Sequence, residues 1–166
     1  EIHRFHTPSS EPREGFTCMS VSADGSRVLF GDLGGDVQLW NADTAQLLQK
    51  WNLRRDVWDV AFAPDMKTAA AASDSGLHLL DLSSGSDRAD AKSHHAPAQP
   101  QELARNAANW ITFNADGSKL CAVFCHAGGD MTGDLVCLEM PSKRQLWSTA
   151  VNDSFIAQNL QRDSLL

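Results

Sequence analysis

Short apolar runs separated by polar turns recur three times along the chain. Each copy opens with a segment in which apolar residues alternate with smaller or polar ones, the period of two that indicates a β-strand with one buried face. The copies align on an aspartate in the first turn of each, at Asp24, Asp65 and Asp116, which lie 41 and 51 residues apart. They span Phe16–Trp51, Val57–Gly85 and Asn109–Trp147. The chain is therefore predicted to be a repeat of small strand-built units.

Each unit contains three or four predicted strands. The first strands carry the alternating pairs Met19/Val21, Val60/Phe62 and Ile111/Phe113. After a turn that reads Ala-Asp-Gly or Pro-Asp-Met, the second runs are Arg27–Phe30, Thr68–Ala72 and Leu120–Phe124. After a second turn that contains glycine, the third runs are Val37–Trp40, Leu77–Leu80 and Leu135–Leu138. The first and third copies end in a fourth run, Gln46–Trp51 and Gln145–Val151. Four antiparallel strands in about 40 residues are typical of one blade of a β-propeller, so the predicted fold is all-β.

These motifs resemble those of the WD-repeat family of β-propellers. The resemblance rests on the opening strand and Asp-Gly turn, on the Ser-Asp-Ser-Gly turn at 73–76, and on the third strands Val-x-Leu-Trp-Asn at 37–41 and Leu-x-Leu-Leu-Asp at 77–81. It covers most of residues 1–85 and 108–151, and Glu1–Thr7 looks like the last strand of a preceding blade. It implies four-stranded antiparallel blades arranged around an axis.

The chain also departs from the family pattern. The Gly-His pair that often precedes the first strand is absent from all three copies, and the third-strand tryptophan remains only as Trp40, with Leu80 and Leu138 in the matching places. The side-chain network that often ties such a blade together is therefore incomplete, and apolar packing is expected to hold the blades. Quinoprotein-type and lactonase-type propellers remain alternatives.

The predicted domain is a partial propeller over residues 1–166, with blades at about 16–51, 57–107 and 108–151. Residues 86–107 are rich in Ala, Ser, Asp, Pro and Gln and are interpreted as a long, flexible, polar insertion after the second blade. Within it, Gln101–Arg105 could form the missing fourth strand or a short helical turn. Propellers typically have four to eight blades, so three cannot close a ring. The rest of the same chain is expected to supply the missing blades, since Glu1 already lies in a strand-like segment; assembly of several copies is the alternative.

Composition limits the function classes. The formal charge is −7, with 21 acidic and 14 basic residues, which argues against binding to nucleic acid or to an anionic membrane. No apolar run approaches the roughly 20 residues that span a bilayer, and no signal peptide is recognisable. Four cysteines are too few for a disulfide scaffold. The predicted location is therefore intracellular, in the cytoplasm or the nucleus.

The stretch Cys121-Ala-Val-Phe-Cys125-His126 is the clearest candidate for metal or haem chemistry. On a strand, the two thiols share a face but lie about 13 Å apart at about 3.3 Å per residue. Zn–S bonds are only about 2.3 Å long, so both cannot hold one ion. They are interpreted as packing residues of the second strand in the third blade. Whether Cys137 on the next strand pairs with Cys121 or with Cys125 is left open.

Other candidate metal ligands are weaker. His94-His95 in the insertion has no third ligand nearby, and the glycine-rich and acidic stretch from Ala127 to Asp134 lacks the alternating ligands of a calcium loop. Gly34-Gly35 precedes no helix with a phosphate-binding lysine. The sequence therefore predicts no metal site and no cofactor.

The predicted function is a non-catalytic scaffold that binds protein or peptide partners, because no nucleophile elbow, catalytic triad or paired-carboxylate cleft is present. The alternatives are a propeller enzyme with channel-lining active residues, or a propeller attached to a catalytic or regulatory domain. In this architecture the loop before each first strand opens onto one rim of the ring. The candidate partner-binding residues at this rim are Arg54, Arg55, Trp58, Thr17 and Asn109. Tryptophan and arginine are enriched in binding hot spots.

Overall fold

A computed structural model describes residues 15–83, 99–125 and 132–151. These residues form twelve β-strands in three separate four-stranded sheets. The first sheet contains β1 (Phe16–Val21), β2 (Arg27–Asp32), β3 (Asp36–Asn41) and β4 (Leu47–Asn52). The second contains β5 (Val57–Phe62), β6 (Thr68–Ser73), β7 (Gly76–Asp81) and β8 (Gln101–Ala104). The third contains β9 (Ala108–Phe113), β10 (Lys119–Cys125), β11 (Gly133–Glu139) and β12 (Arg144–Val151).

Every sheet is an antiparallel meander in which each strand pairs with the next along the chain. The prediction of an all-β propeller fragment with about three four-stranded blades is therefore confirmed. We call the sheets blades 1, 2 and 3. None of the described residues belongs to a helix that could cross a membrane.

Strand β8 lies inside the segment that the sequence assigned to a flexible insertion, 86–107. Residues 101–104 pair with β7, with Leu77 opposite Ala104 and Leu79 opposite Gln101. The choice between a strand and a helical turn is thus decided for the strand, and the insertion ends earlier than the composition indicated. Polar residues can form this strand because it lies at the outer edge of blade 2, where solvent covers one side.

Four sequence features lie outside the described residues. They are the strand-like segment Glu1–Thr7, the His94-His95 pair, His126 of the Cys121–His126 stretch, and the part of the glycine-rich stretch at 127–131.

Two apolar clusters fill the seams between blades. One joins blade 1 to blade 2 and includes the fully buried Leu29, Leu39 and Leu80. The other joins blade 2 to blade 3 and includes the fully buried Leu77 and Leu120. Alternate residues of each strand point to opposite faces, so the middle blade contributes to both seams.

Strand β6 shows this alternation in its simplest form. It contains four consecutive alanines, Ala69 to Ala72, and all are fully buried. Ala69 and Ala71 pack in the seam with blade 1, whereas Ala70 and Ala72 pack in the seam with blade 3. Small side chains on both faces let the neighbouring sheets approach this strand closely.

The recurring aspartates stabilise the first turn of each blade. Asp24 accepts hydrogen bonds from the Ser22 hydroxyl (2.6 Å) and from the Ser26 backbone N–H (3.0 Å), and these bonds lower its pKa to about 2. Asp65 accepts from the Lys67 N–H (2.9 Å), and Asp116 accepts from the Ser118 N–H (2.8 Å). A side chain that bonds to the backbone two residues later is a common turn device.

Candidate functional site

The loop that enters blade 2 is held in one conformation by hydrogen bonds from the chain around it. The Asn52 side-chain oxygen accepts from the Arg54 N–H at 2.9 Å, and Arg54 has a positive φ of 65°. The Leu53 N–H donates to the Gly35 carbonyl at 2.8 Å, and the Asp74 N–H donates to the Asp56 carbonyl at 3.0 Å. The loop is therefore fixed to the β2–β3 turn on one side and to the β6–β7 turn on the other.

Arg54 and Arg55 project from this fixed loop and are exposed. Neither guanidinium makes an ion pair or hydrogen bond with any residue that the structure describes. Trp58, at the start of β5, is 38% exposed, and its indole N–H donates to Asp74 Oδ1 at 2.7 Å. We call Arg54, Arg55, Trp58 and Asp74 the rim surface. It presents two uncommitted cations beside an aromatic ring of fixed orientation.

The other two predicted rim residues have different surroundings. The Thr17 hydroxyl donates to the carbonyls of Gly31 (3.1 Å) and Val57, so it links blade 1 to blade 2. Asn109 is half-buried in β9, and its side chain makes no hydrogen bond to the described part of the chain. Both lie at the position of Trp58 on their own blades, but Arg54 and Arg55 adjoin only Trp58.

Two of the three free thiols of blade 3 face each other on neighbouring strands. Cys121 on β10 lies directly opposite Cys137 on β11, whereas Cys125 lies opposite Gly133. Burial and the contact with Cys137 raise the pKa of Cys121 to about 12, and burial raises the pKa of Cys18 in β1 to about 11. A protonated thiol is a poor nucleophile and a poor metal ligand. The described residues contain no group of three or more His, Cys, Asp or Glu side chains placed to hold a metal ion.

Asp59 is a half-buried carboxylate that joins blade 2 to blade 3. It accepts hydrogen bonds from the Ile111 N–H at 2.9 Å and from the Val60 N–H at 2.9 Å. Burial nevertheless raises its pKa above the usual 3.8. This link is not predictable from the repeat, because the matching residues of the other blades are Cys18 and Trp110.

Replacement of Asp59 by asparagine and by alanine should separate its hydrogen bond from its charge. Asp59→Ala leaves the Ile111 N–H without a partner and should lower the free energy of unfolding by about 2 kcal/mol. Asp59→Asn keeps an acceptor oxygen without the buried charge and should be neutral or stabilising at pH 7. Urea unfolding of the full chain measures both. Equal losses in the two variants would contradict this role.

The raised pKa also fixes the sign of the pH dependence. The folded protein holds the Asp59 proton more tightly than the unfolded chain does, so this residue makes stability fall as pH rises from about 4 through the raised folded pKa. Above that pKa the contribution is constant. The wild-type protein should therefore lose stability relative to Asp59→Asn over this pH range.

A groove of about 680 Å³ opens between blades 2 and 3 at the end of the sheets opposite the rim surface. Its apolar part includes Leu79, Phe113 and Met140. Three carboxylates also line it, those of Asp65, Asp81 and Asp116. The Lys143 ammonium lies at its edge and donates to the Gln101 side-chain oxygen, from blade 3 to blade 2. From the sequence, two of these aspartates, Asp65 and Asp116, are expected only to stabilise turns.

Comparison with known proteins gives one sequence relative and one structural neighbour of note. The chain is 29% identical over 107 residues, 64% of its length, to the serine-threonine kinase receptor-associated protein of Dictyostelium discoideum, and the match covers 36% of that protein. The β-propeller domain of Cps50 (Swd1) from Myceliophteria thermophila matches with a TM-score of 0.63 and 17% identity, over 82% of this chain and 42% of that one. No protein-family model matches. The chain thus spans less than half the length of either protein.

Proposed function

We propose that the chain, which forms three blades of a β-propeller, is of the WD-repeat type and is part of a non-catalytic scaffold that binds protein or peptide partners. The observation that carries the proposal is the rim surface: two exposed guanidinium groups that pair with none of the described residues, on a loop held by hydrogen bonds, beside a tryptophan that is 38% exposed. A fixed loop loses little conformational entropy when a partner binds. The relative's name, a receptor-associated protein, is compatible with a binding role.

The partner proposed for the rim surface is an acidic or phosphorylated peptide segment. Guanidinium groups bind carboxylate and phosphate through paired, charge-assisted hydrogen bonds. The indole ring of Trp58 offers apolar area beside them. Arginine and tryptophan together are typical of the few residues that contribute most of the free energy of binding.

The missing blades are proposed to come from the same polypeptide, in the cytoplasm or the nucleus. Large apolar side chains are exposed on the outer face of blade 1, with Met19 62% and Val21 52% exposed, and Trp147 is 47% exposed on the outer face of blade 3. A further sheet packed on each side would cover them. The low cysteine count supports a reducing compartment.

Rim variants of the full chain test the proposal. Affinity capture from a cell lysate should lose a common set of proteins with Trp58→Ala and with Arg54→Ala/Arg55→Ala, because truncation of a hot-spot residue weakens binding by about 30-fold. Quantitative mass spectrometry measures the recovery. The matched control is Lys67→Ala/Lys119→Ala, which removes two exposed cations at the other end of the sheets. Unchanged recovery with the rim variants, or equal loss with the control, would reject the rim surface as the docking site.

A further inference from the structure

The two seams between blades differ at one position of the repeat. At the seam between blades 1 and 2, Arg27 at the start of β2 reaches across to blade 2. Its guanidinium lies 6.0 Å from the centre of the Phe62 ring and donates to the Met66 carbonyl at 2.7 Å. This side chain therefore connects the blades at the end of the sheets where their first turns lie.

At the seam between blades 2 and 3, the residue at the position of Arg27 is Thr68. Its hydroxyl donates to Asp65 within its own turn, at 2.9 Å to Oδ2, and makes no hydrogen bond to the described residues of blade 3. The counterparts of Phe62 and Met66 on blade 3 are Phe113 and Gly117, and both line the 680 Å³ groove. The groove is thus the place that an arginine occupies in the preceding seam.

The groove has the charge that suits a cation. The hydrogen bonds from Ser83 lower the pKa of Asp81, and those from Ser118 lower the pKa of Asp116, so both are ionised at neutral pH. In Asp81 both bonds from Ser83 reach Oδ1. In Asp116 the Ser118 N–H and the Asn114 side-chain amide reach Oδ1. Partial burial raises the pKa of Asp65, but hydrogen bonds from Lys67 and Thr68 outweigh it, and the pKa is lowered. Lys143 is the only cation that lines the groove among the described residues.

We propose that this groove binds an arginine-bearing peptide segment of a partner protein, whose guanidinium takes over the role that Arg27 plays in the neighbouring seam. The ring of Phe113 and the Gly117 carbonyl receive the guanidinium, and the ionised carboxylates of Asp81 and Asp116 balance its charge. The apolar side chains of Leu79 and Met140 contact the flanking residues of the peptide. This site is separate from the rim surface, which lies at the opposite end of the sheets and favours acidic partners.

Peptide binding to the full chain provides the first test. The probe is a fluorescein-labelled hexapeptide with alternating arginine and leucine, and its matched control carries citrulline, the neutral analogue of arginine, at the same places. Fluorescence anisotropy at low salt should give a Kd about tenfold lower for the arginine peptide, because hydrogen bonds to charged groups are worth more than neutral ones. Equal affinity for the two peptides would overturn the proposal.

An arginine placed in the groove by mutation provides the second test. Thr68→Arg puts into blade 2 the residue that blade 1 has at this position, so its side chain should fill the groove and abolish binding of the arginine peptide. Thr44→Arg, in the exposed β3–β4 turn of blade 1, adds the same charge outside the groove and should leave the Kd unchanged. Unchanged binding to Thr68→Arg, or an equal loss in both variants, would show that the peptide binds elsewhere.

A third pair of variants keeps the test valid if Thr68→Arg unfolds. Asp81→Asn/Asp116→Asn keeps the turn acceptors and removes two charges, and should weaken peptide binding by about fivefold. Asp24→Asn/Asp43→Asn makes the same change in the turns of blade 1 and should have no effect. The rim variants Trp58→Ala and Arg54→Ala/Arg55→Ala should also bind the arginine peptide normally. If Asp24→Asn/Asp43→Asn or the rim variants lost as much binding as Asp81→Asn/Asp116→Asn, the groove would not be the binding site of the arginine peptide.

Discussion

Replacement of Gly76 by alanine is expected to lower the free energy of unfolding by at least about 3 kcal/mol. Gly76 begins β7 with a φ of +133°, which L-residues rarely adopt, and a Cβ atom there would lie 1.9 Å from the Ala104 carbonyl oxygen of β8. The oxygen belongs to backbone, so relief requires β8 to move away from β7. Domains are stable by only about 5–15 kcal/mol, so this is a large loss.

Gly25→Ala provides a matched control for this prediction. Gly25 also has a positive φ, of 73°, but nothing lies within 4 Å of a Cβ at that place. Gly25→Ala should therefore lower the free energy of unfolding only by the conformational cost of a positive φ, about 1 kcal/mol. Urea unfolding measures both losses, and hydrogen exchange should show faster exchange in β8 only for Gly76→Ala. Losses within 1 kcal/mol of each other would mean that β8 can shift without cost.

Replacement of Leu39 by alanine is expected to cost about 3 kcal/mol of stability. Leu39 is fully buried at the centre of β3, opposite Leu29, and belongs to the cluster between blades 1 and 2. Sheets on both sides of this seam are held by several strands, so they cannot close in on the cavity that the mutation leaves. Removal of a buried leucine side chain forfeits both its transfer from water and its packing contacts.

Leu33→Ala is the control, because Leu33 lies in the β2–β3 turn and is 37% exposed. Its loss should stay within about 0.5 kcal/mol. Thermal and urea unfolding of the full chain measure both variants. A loss below about 1 kcal/mol for Leu39→Ala would indicate that the first seam contributes little to stability.

The repeat made most of the fold predictable, even where single residues indicated otherwise. Four consecutive alanines favour a helix by intrinsic propensity, yet Ala69 to Ala72 form a central strand because they occupy the second-strand position of a repeating unit. The sequence alone does not distinguish a strand from a helical turn at β8, because its polar residues show neither the two-residue period of a strand nor the 3.6-residue period of a helix. Intrinsic helix or strand propensity is weak compared with tertiary packing. The position of a segment within the repeat indicates which strand it forms, and therefore how it packs.

The candidate sites were only partly predictable. Exposed arginines beside a tryptophan indicated a rim surface, but the hydrogen bonds that hold the loop there depend on backbone positions in two separate turns, β2–β3 and β6–β7. The groove was not anticipated, although the alignment already showed Arg27 replaced by Thr68. The meaning of that difference requires the knowledge that Arg27 reaches the next blade, and sequence spacing does not report contacts across a seam. The pairing of Cys121 with Cys137 likewise required the strand register.

The alanine strand of blade 2 bears on the size of a ring that could be built from such blades. Strand β6 presents only methyl groups to the blades on both sides, whereas Leu80 of β7 and Trp51 of β4 fill the seam between blades 1 and 2 with larger side chains. The angle between two neighbouring sheets, the wedge, depends on the side chains that separate them, and a ring closes when the wedge angles sum to a full turn. Bulkier residues in β6 would narrow the wedge and favour a larger number of blades. Side-chain volume at this one strand is thus part of the geometry that sets the size of the ring.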